Sequence, residues 1–152
     1  MCGIVGEIPF SNNFRVSEPY LIKMRDTMTH RGPDGAGVWV DPRGKVGLAH
    51  RRLSIIDLSS SATQPMANDD NSVLLSFNGE IYNHAAIRQE LNTRRKIQWK
   101  TDHSDTEVII RAYEEWGIDC LDKFRGMFAI ALWDKQKKCL WLARDRIGIK
   151  PL

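Results

Sequence analysis

Short apolar runs broken by turn residues mark strands along most of the chain, and three stretches carry a helical period. Ile4 to Ile8 is an apolar run that stops at Pro9 and carries Cys2 at its exposed start. From Ser17, a helix cap, Leu21, Met24 and Met28 recur at helical spacing and predict an amphipathic helix reaching Thr29. His30-Arg31-Gly32-Pro33-Asp34-Gly35 then forces a turn. Val38 to Val40 and Val46 to Ile56 read as strands around a turn at 41–44, and Val73 to Phe77 is a further β-rich run. His84 to Leu91 and Thr106 to Trp116 are helices, the second with the apolar stripe Ile109, Ala112, Tyr113 and Trp116 and with Ser104 or Asp105 as its cap. Met127 to Trp133 and Cys139 to Ala143 are continuous apolar runs around a charged loop at 134–138, which predicts a hairpin buried on both faces. Strands and amphipathic helices together predict sheets covered by helices.

Composition narrows the class. A chain of 152 residues fits one domain and can bury about 68–70% of its unfolded surface. With 42% hydrophobic and 27% charged residues it is too apolar to be disordered. The net charge of +3 is spread among acidic residues. Its one tight run, Arg94-Arg95-Lys96, follows a predicted helix, where cations complement the dipole, so no nucleic-acid partner is expected. Three cysteines without a Cys-x-x-Cys pair or neighbouring histidines suit reduced thiols and no zinc site. No basic leader precedes an apolar segment and no run approaches a membrane span, so a cytoplasmic protein without a membrane partner is expected.

Cys2 directly follows Met1 and precedes Gly3-Ile4-Val5-Gly6. Removal of Met1 would leave a thiol and a free α-amine on one carbon. An α-amine titrates near ~7.7–8.0 and a thiol near ~8.5, so the amine can serve as the thiol's base without a histidine. Asn78-Gly79 follows a β-run; it is either a hairpin turn or an amide and an unobstructed N–H placed side by side for an oxyanion. Arg51 and Arg52 are adjacent on a strand and must face opposite sides.

These residues lie within a larger set of motifs: Met1-Cys2-Gly3-Ile4-Val5-Gly6, Arg31-Gly32-Pro33-Asp34-Gly35, His50-Arg51-Arg52-Leu53-Ser54-Ile55 and Phe77-Asn78-Gly79-Glu80-Ile81-Tyr82-Asn83. Gln64-Pro65-Met66, Ser104 to Ile109, Arg125 to Ala129 and Ala143 to Leu152 add to them. In order and coverage the set resembles the class II glutamine amidotransferases, most closely the glutaminase domain of glutamine-hydrolysing asparagine synthetase. The resemblance implies an α+β fold of the amino-terminal-nucleophile hydrolase type, a four-layer αββα sandwich of two antiparallel sheets. It also implies hydrolysis of glutamine to glutamate and ammonia through a Cys2 thioester, with no cofactor.

By the same resemblance Asn78 and Gly79 are the oxyanion donors and Arg52, directly before Leu53-Ser54-Ile55, clamps the glutamine α-carboxylate. Leu53 and Ile55 join the substrate-binding set, and Asp105, with Glu80, pairs with the α-ammonium; Asp105 can equally cap its helix. His30, His50, His84 and His103 are read as structural or surface residues. The loop at 31–35 resembles one that covers the active site. The family's domain continues beyond Leu152, so the expectation is a carboxyl-terminally truncated amidotransferase domain over 1–152 with no synthetase domain. ATP and Mg are then expected only in that missing half, and a synthetase subunit or a homodimer is the expected partner. The competing expectation is a catalytically silent domain acting as a binding or split subunit.

Overall fold

The computed structural model describes residues 1–11, 13–55 and 60–152. Its strands are β1 (Gly3–Glu7), β2 (Gly35–Val40), β3 (Gly47–Arg52), β4 (Met66–Ala67), β5 (Val73–Ile81), β6 (Gly126–Asp134) and β7 (Cys139–Arg144). The α-helices are α1 (Glu18–Asp26), α2 (His84–Arg94), α3 (Asp105–Trp116) and the short α4 (Cys120–Lys123). Two antiparallel sheets form, one ordered β1-β3-β2 and the other β4-β5-β6-β7.

Side-chain alternation along β5 and β6 builds the layers. Val73, Leu75, Phe77 and Ile81 of β5, with Phe128, Ile130 and Leu132 of β6, pack against Ile87 and Leu91 of α2 and Val108, Ile109 and Ala112 of α3. The opposite face of the same strands presents Leu74, Ala131 and Trp133 to Leu48 of the first sheet and to Val46 just before it. On that sheet's outer face Leu21 of α1 is fully buried with Val16 and Ala49, against Val5, Val38 and Val40. The result is α1, sheet, sheet, α2–α3, the four layers the sequence led us to expect. Each fully buried Leu, Ile or Phe contributes about 1.5–3 kcal/mol relative to exposure.

Several expected elements are shaped differently. β5 does not stop at Phe77 but runs through Asn78 and Gly79 to Ile81, pairing Asn78 with Ala129 and Gly79 with Phe128. Asn-Gly is therefore strand here rather than a hairpin turn: a Cβ on Gly79 would run into the Met127 carbonyl, so glycine is what lets β6 lie this close. β3 ends at Arg52, and the expected end of that strand at Ile56 lies outside the described residues. The hairpin buried on both faces is only half correct. β6 is buried along most of its length, but β7 is an edge strand among the described residues and its Leu142 is 61% exposed.

α3 is anchored by a charged cluster. The Arg111 side chain, 5% exposed, donates to Asp69 at 2.8 and 3.0 Å, to Glu114 at 3.2 Å and to Glu107 at 3.4 Å. Glu107 in turn accepts the N–H of Thr101 at 2.8 Å and its hydroxyl at 2.7 Å. The loop that leads into Ser104 and Asp105 is thereby fixed to the helix it precedes.

Candidate active site

Cys2 sits just before β1, whose Gly3 pairs with Arg51 of β3. The chain leaves β3 so that the backbone N–H of Leu53 donates to the Cys2 sulfur at 3.3 Å. The loop at 30–35 braces this junction. Arg31 Nε donates to the Cys2 carbonyl at 3.2 Å, Asp34 N–H donates to the Arg52 carbonyl at 3.0 Å, and Asp34 Oδ2 accepts from Ser54 N–H at 2.8 Å. Arg51 turns to the α1 side, donating to the Gly32 carbonyl at 3.0 Å and approaching Asp26 at 3.4 Å.

A cavity of about 100 Å³ opens beside the sulfur, bordered by Cys2, Arg52, Leu53, Ile55, Gly79, Glu80 and Asp105. Seven of the eight residues singled out in the sequence thus share one pocket. Asn78 is the eighth. It borders a second cavity, of about 600 Å³, whose walls also include Cys2 and the apolar Ile4, Val5, Leu48, Leu140 and Leu142. Cys2 therefore stands between a pocket with charged groups in its wall and a more apolar one. The first pocket also takes in Met1, Gln64, Thr106, Met127 and Lys150, to which sequence reasoning gave no role. Gln64 and Lys150 lay inside quoted motifs, but neither spacing nor residue type marked a function.

Backbone parity decides what Gly79 offers. Phe128, its partner across the ladder, donates its own N–H to Asp145 Oδ2 at 3.1 Å and accepts from Asp145 N–H at 2.8 Å. Those groups point away from β5, so Gly79 and Phe128 form a non-hydrogen-bonded pair and the Gly79 N–H is directed away from β6. Phe77 and Ile81 share that direction. The Phe77 N–H donates to Gln64 Oε1 at 2.6 Å and the Ile81 N–H to Asp105 Oδ2 at 3.1 Å. Between them the Gly79 N–H faces the pocket that Gly79 borders.

Asp105 is the first residue of α3, not its cap, and Ser104 in the cap position makes no side-chain capping bond. Burial pushes the Asp105 carboxyl above its ordinary range, against the Ile81 N–H that favours its charged form. His50 is fully buried, and burial holds it down at about 4, so it is a neutral ring at neutral pH. Among the described residues no cluster of His, Cys, Asp or Glu is placed to hold a metal ion, and no helix is long and apolar enough to cross a membrane.

The model of the glutamine amidotransferase domain matches residues 1–152. The chain belongs to that family. The domain is 44% identical over its full length to asparagine synthetase [glutamine-hydrolyzing] 2 of Bacillus subtilis and 40% identical to asparagine synthetase B [glutamine-hydrolyzing] of Escherichia coli. It spans only 20% and 26% of those two proteins. In fold it is similar to the glutamine phosphoribosylpyrophosphate amidotransferase of B. subtilis, with a TM-score of 0.75 at 18% identity over 97% of this chain and 38% of that one. The amidotransferase domain thus shares the fold of that enzyme, with two antiparallel sheets packed face to face and Cys2 directly before the first strand.

Proposed function

We propose that the domain hydrolyses glutamine to glutamate and ammonia through a thioester on Cys2 and supplies the ammonia to an asparagine-synthetase-type amidation performed by another domain or subunit. The observation that carries this reading is the single pocket in which Cys2, Arg52, Gly79 and Asp105 meet. Once Met1 is removed, the Cys2 α-amine takes the thiol proton. The sulfur then attacks the side-chain amide carbon, forming a tetrahedral oxyanion against the Gly79 N–H and the Asn78 amide.

Collapse of that intermediate breaks the C–N bond, and the α-ammonium returns its proton to the departing ammonia. Water then adds to the thioester carbonyl, the amine again taking a proton, and glutamate leaves as the thiol is restored. Arg52 holds the substrate α-carboxylate with paired hydrogen bonds, flanked by Leu53 and Ile55. Asp105, with Glu80, receives the α-ammonium, and that cation offsets the burial that raises the Asp105 carboxyl. No metal or cofactor enters these steps. The apolar cavity on the other side of Cys2 suits departure of a small neutral molecule such as ammonia.

Intact mass and glutamate release, measured on one sample, test the reading. A chain lacking Met1 that releases glutamate from glutamine, and loses this on Cys2→Ala, meets it. A correctly processed, folded chain without turnover favours instead a silent binding or split subunit.

A further inference from the structure

The edge of β5 that presents Gly79 is left open by the main chain, and at Phe77 two side chains take its place. β4 pairs only Met66 with Leu75 and Ala67 with Leu74. Continued two residues back, that register sets Gln64 opposite Phe77. No main-chain ladder runs there. The Gln64 side chain takes its place, with Oε1 accepting the Phe77 N–H at 2.6 Å and Nε2 lying 3.4 Å from the Thr106 hydroxyl. The Phe77 carbonyl is met from the other sheet by His50 Nε2 at 2.9 Å. A carbonyl oxygen carries no hydrogen, so Nε2 is the protonated nitrogen of the ring.

Both side chains are built in. His50 is 0% and Gln64 6% exposed. Gly37, which pairs with His50 across β2 and β3, leaves room for the Gln64 backbone: a Cβ there would collide with the Gln64 carbonyl oxygen. His50 Nδ1 has no hydrogen-bond partner, so the buried ring retains one unsatisfied nitrogen while the other holds Phe77. Unsatisfied buried polar atoms are uncommon in proteins, and one that persists calls for an explanation.

We propose that Gln64 and His50 are positioning residues for the oxyanion step, fixing both backbone groups of Phe77 so that the N–H two residues on, at Gly79, stays aimed into the pocket. Neither touches the reacting atoms. The assignment rests on the glutaminase reading above. Without the two side chains, β5 can rotate about Phe77 and the Gly79 donor leaves the position where charge develops, while Arg52 and Asp105 still bind substrate. The cost then falls on kcat rather than on KM.

The test compares Gln64→Met, His50→Leu and His50→Gln with the unmodified domain, reading kcat and KM for glutamine, thermal midpoint and amide hydrogen exchange at Phe77. Gln64→Met and His50→Leu are expected to lower kcat at least tenfold with KM within twofold, and Gln64→Met to speed Phe77 exchange. His50→Gln places an amide donor near the Nε2 position and is expected to restore most of the loss. Unchanged kcat in folded Gln64→Met overturns the assignment. So does a loss of kcat that follows the thermal midpoint with no rescue by His50→Gln, since both residues would then be merely structural. Absence of turnover in the unmodified, correctly processed domain defeats the glutaminase reading itself, a result distinct from either.

Discussion

The Leu53 N–H points at the Cys2 sulfur from 3.3 Å, joining the proposed nucleophile to the residue that follows Arg52, the proposed carboxylate clamp. A donor at this distance sets the sulfur's place relative to Arg52 before any substrate arrives. Cys2→Ala removes the nucleophile without disturbing the core. Glutamate release is expected to fall at least ~10³-fold, while the thermal midpoint moves by no more than ~2 °C. A coupled glutamate assay and a melting curve on the same preparation check both halves.

Arg52 borders the pocket while its neighbour Arg51 is bonded to the loop at Gly32. Lysine at position 52 keeps the charge but loses the planar pair of donors that matches a carboxylate. Arg52→Lys is therefore expected to raise KM for glutamine about tenfold or more, about 1.4 kcal/mol, with a smaller change in kcat. Arg51→Lys, which acts on the loop brace, is expected to leave KM much nearer its original value. Steady-state kinetics of the two variants side by side separate them.

Gly79 has no room for even one methyl group. Besides the Met127 carbonyl, a Cβ would lie 2.7 Å from Phe128 Cα and 2.9 Å from the Phe77 ring. Gly79→Ala is expected to cost about 1–3 kcal/mol of stability, because β6 must shift outward. Turnover is expected to fall further than that loss explains, since the same shift moves the donor. Denaturant unfolding together with glutamate release at a temperature where the variant is folded gives the comparison.

His50 predicts a pH dependence whose sign can be worked out. Its folded-state value of about 4 lies below the ordinary 6.5, with burial as the main cause and the Arg52 charge adding to it. The unfolded chain therefore binds the proton first as pH falls, and stability conferred by the neutral ring is full above pH 6.5 and lost progressively down to about 4. The loss over that window is about 3 kcal/mol. Urea midpoints measured between pH 7 and 4 should fall in the unmodified domain and fall less in His50→Gln.

The layers, most of the strands and the apolar stripe of α3 were legible because burial imposes a period on the residues that make them. The strand character of Asn78-Gly79 was not. Local turn preference opposes it, and only the approach of β6, some fifty residues later in the chain, makes glycine necessary for packing rather than for a turn. The pocket residues drawn from motifs do come together, save Asn78, which faces the adjoining cavity. Gln64 and Lys150 stayed without a role because their place depends on register and on the turn held by Asp145, and neither leaves a periodic trace. The exposed β7 was misread for a related reason: Cys139 to Ala143 is as apolar as a sandwiched strand, and hydropathy does not say whether a neighbour is present.

The edge of β7, unpaired among the described residues, has a practical side. Its outer N–H and C=O groups, next to the exposed Leu142, form a template on which copies can zip together at high concentration. Replacing Leu142 by lysine puts a repelling charge beside this edge; because Leu142 also borders the apolar cavity that reaches Cys2, glutamate release is measured on the same variant. Light scattering of concentrated samples should show less self-association for Leu142→Lys, making that variant the better starting material for crystals or spectra.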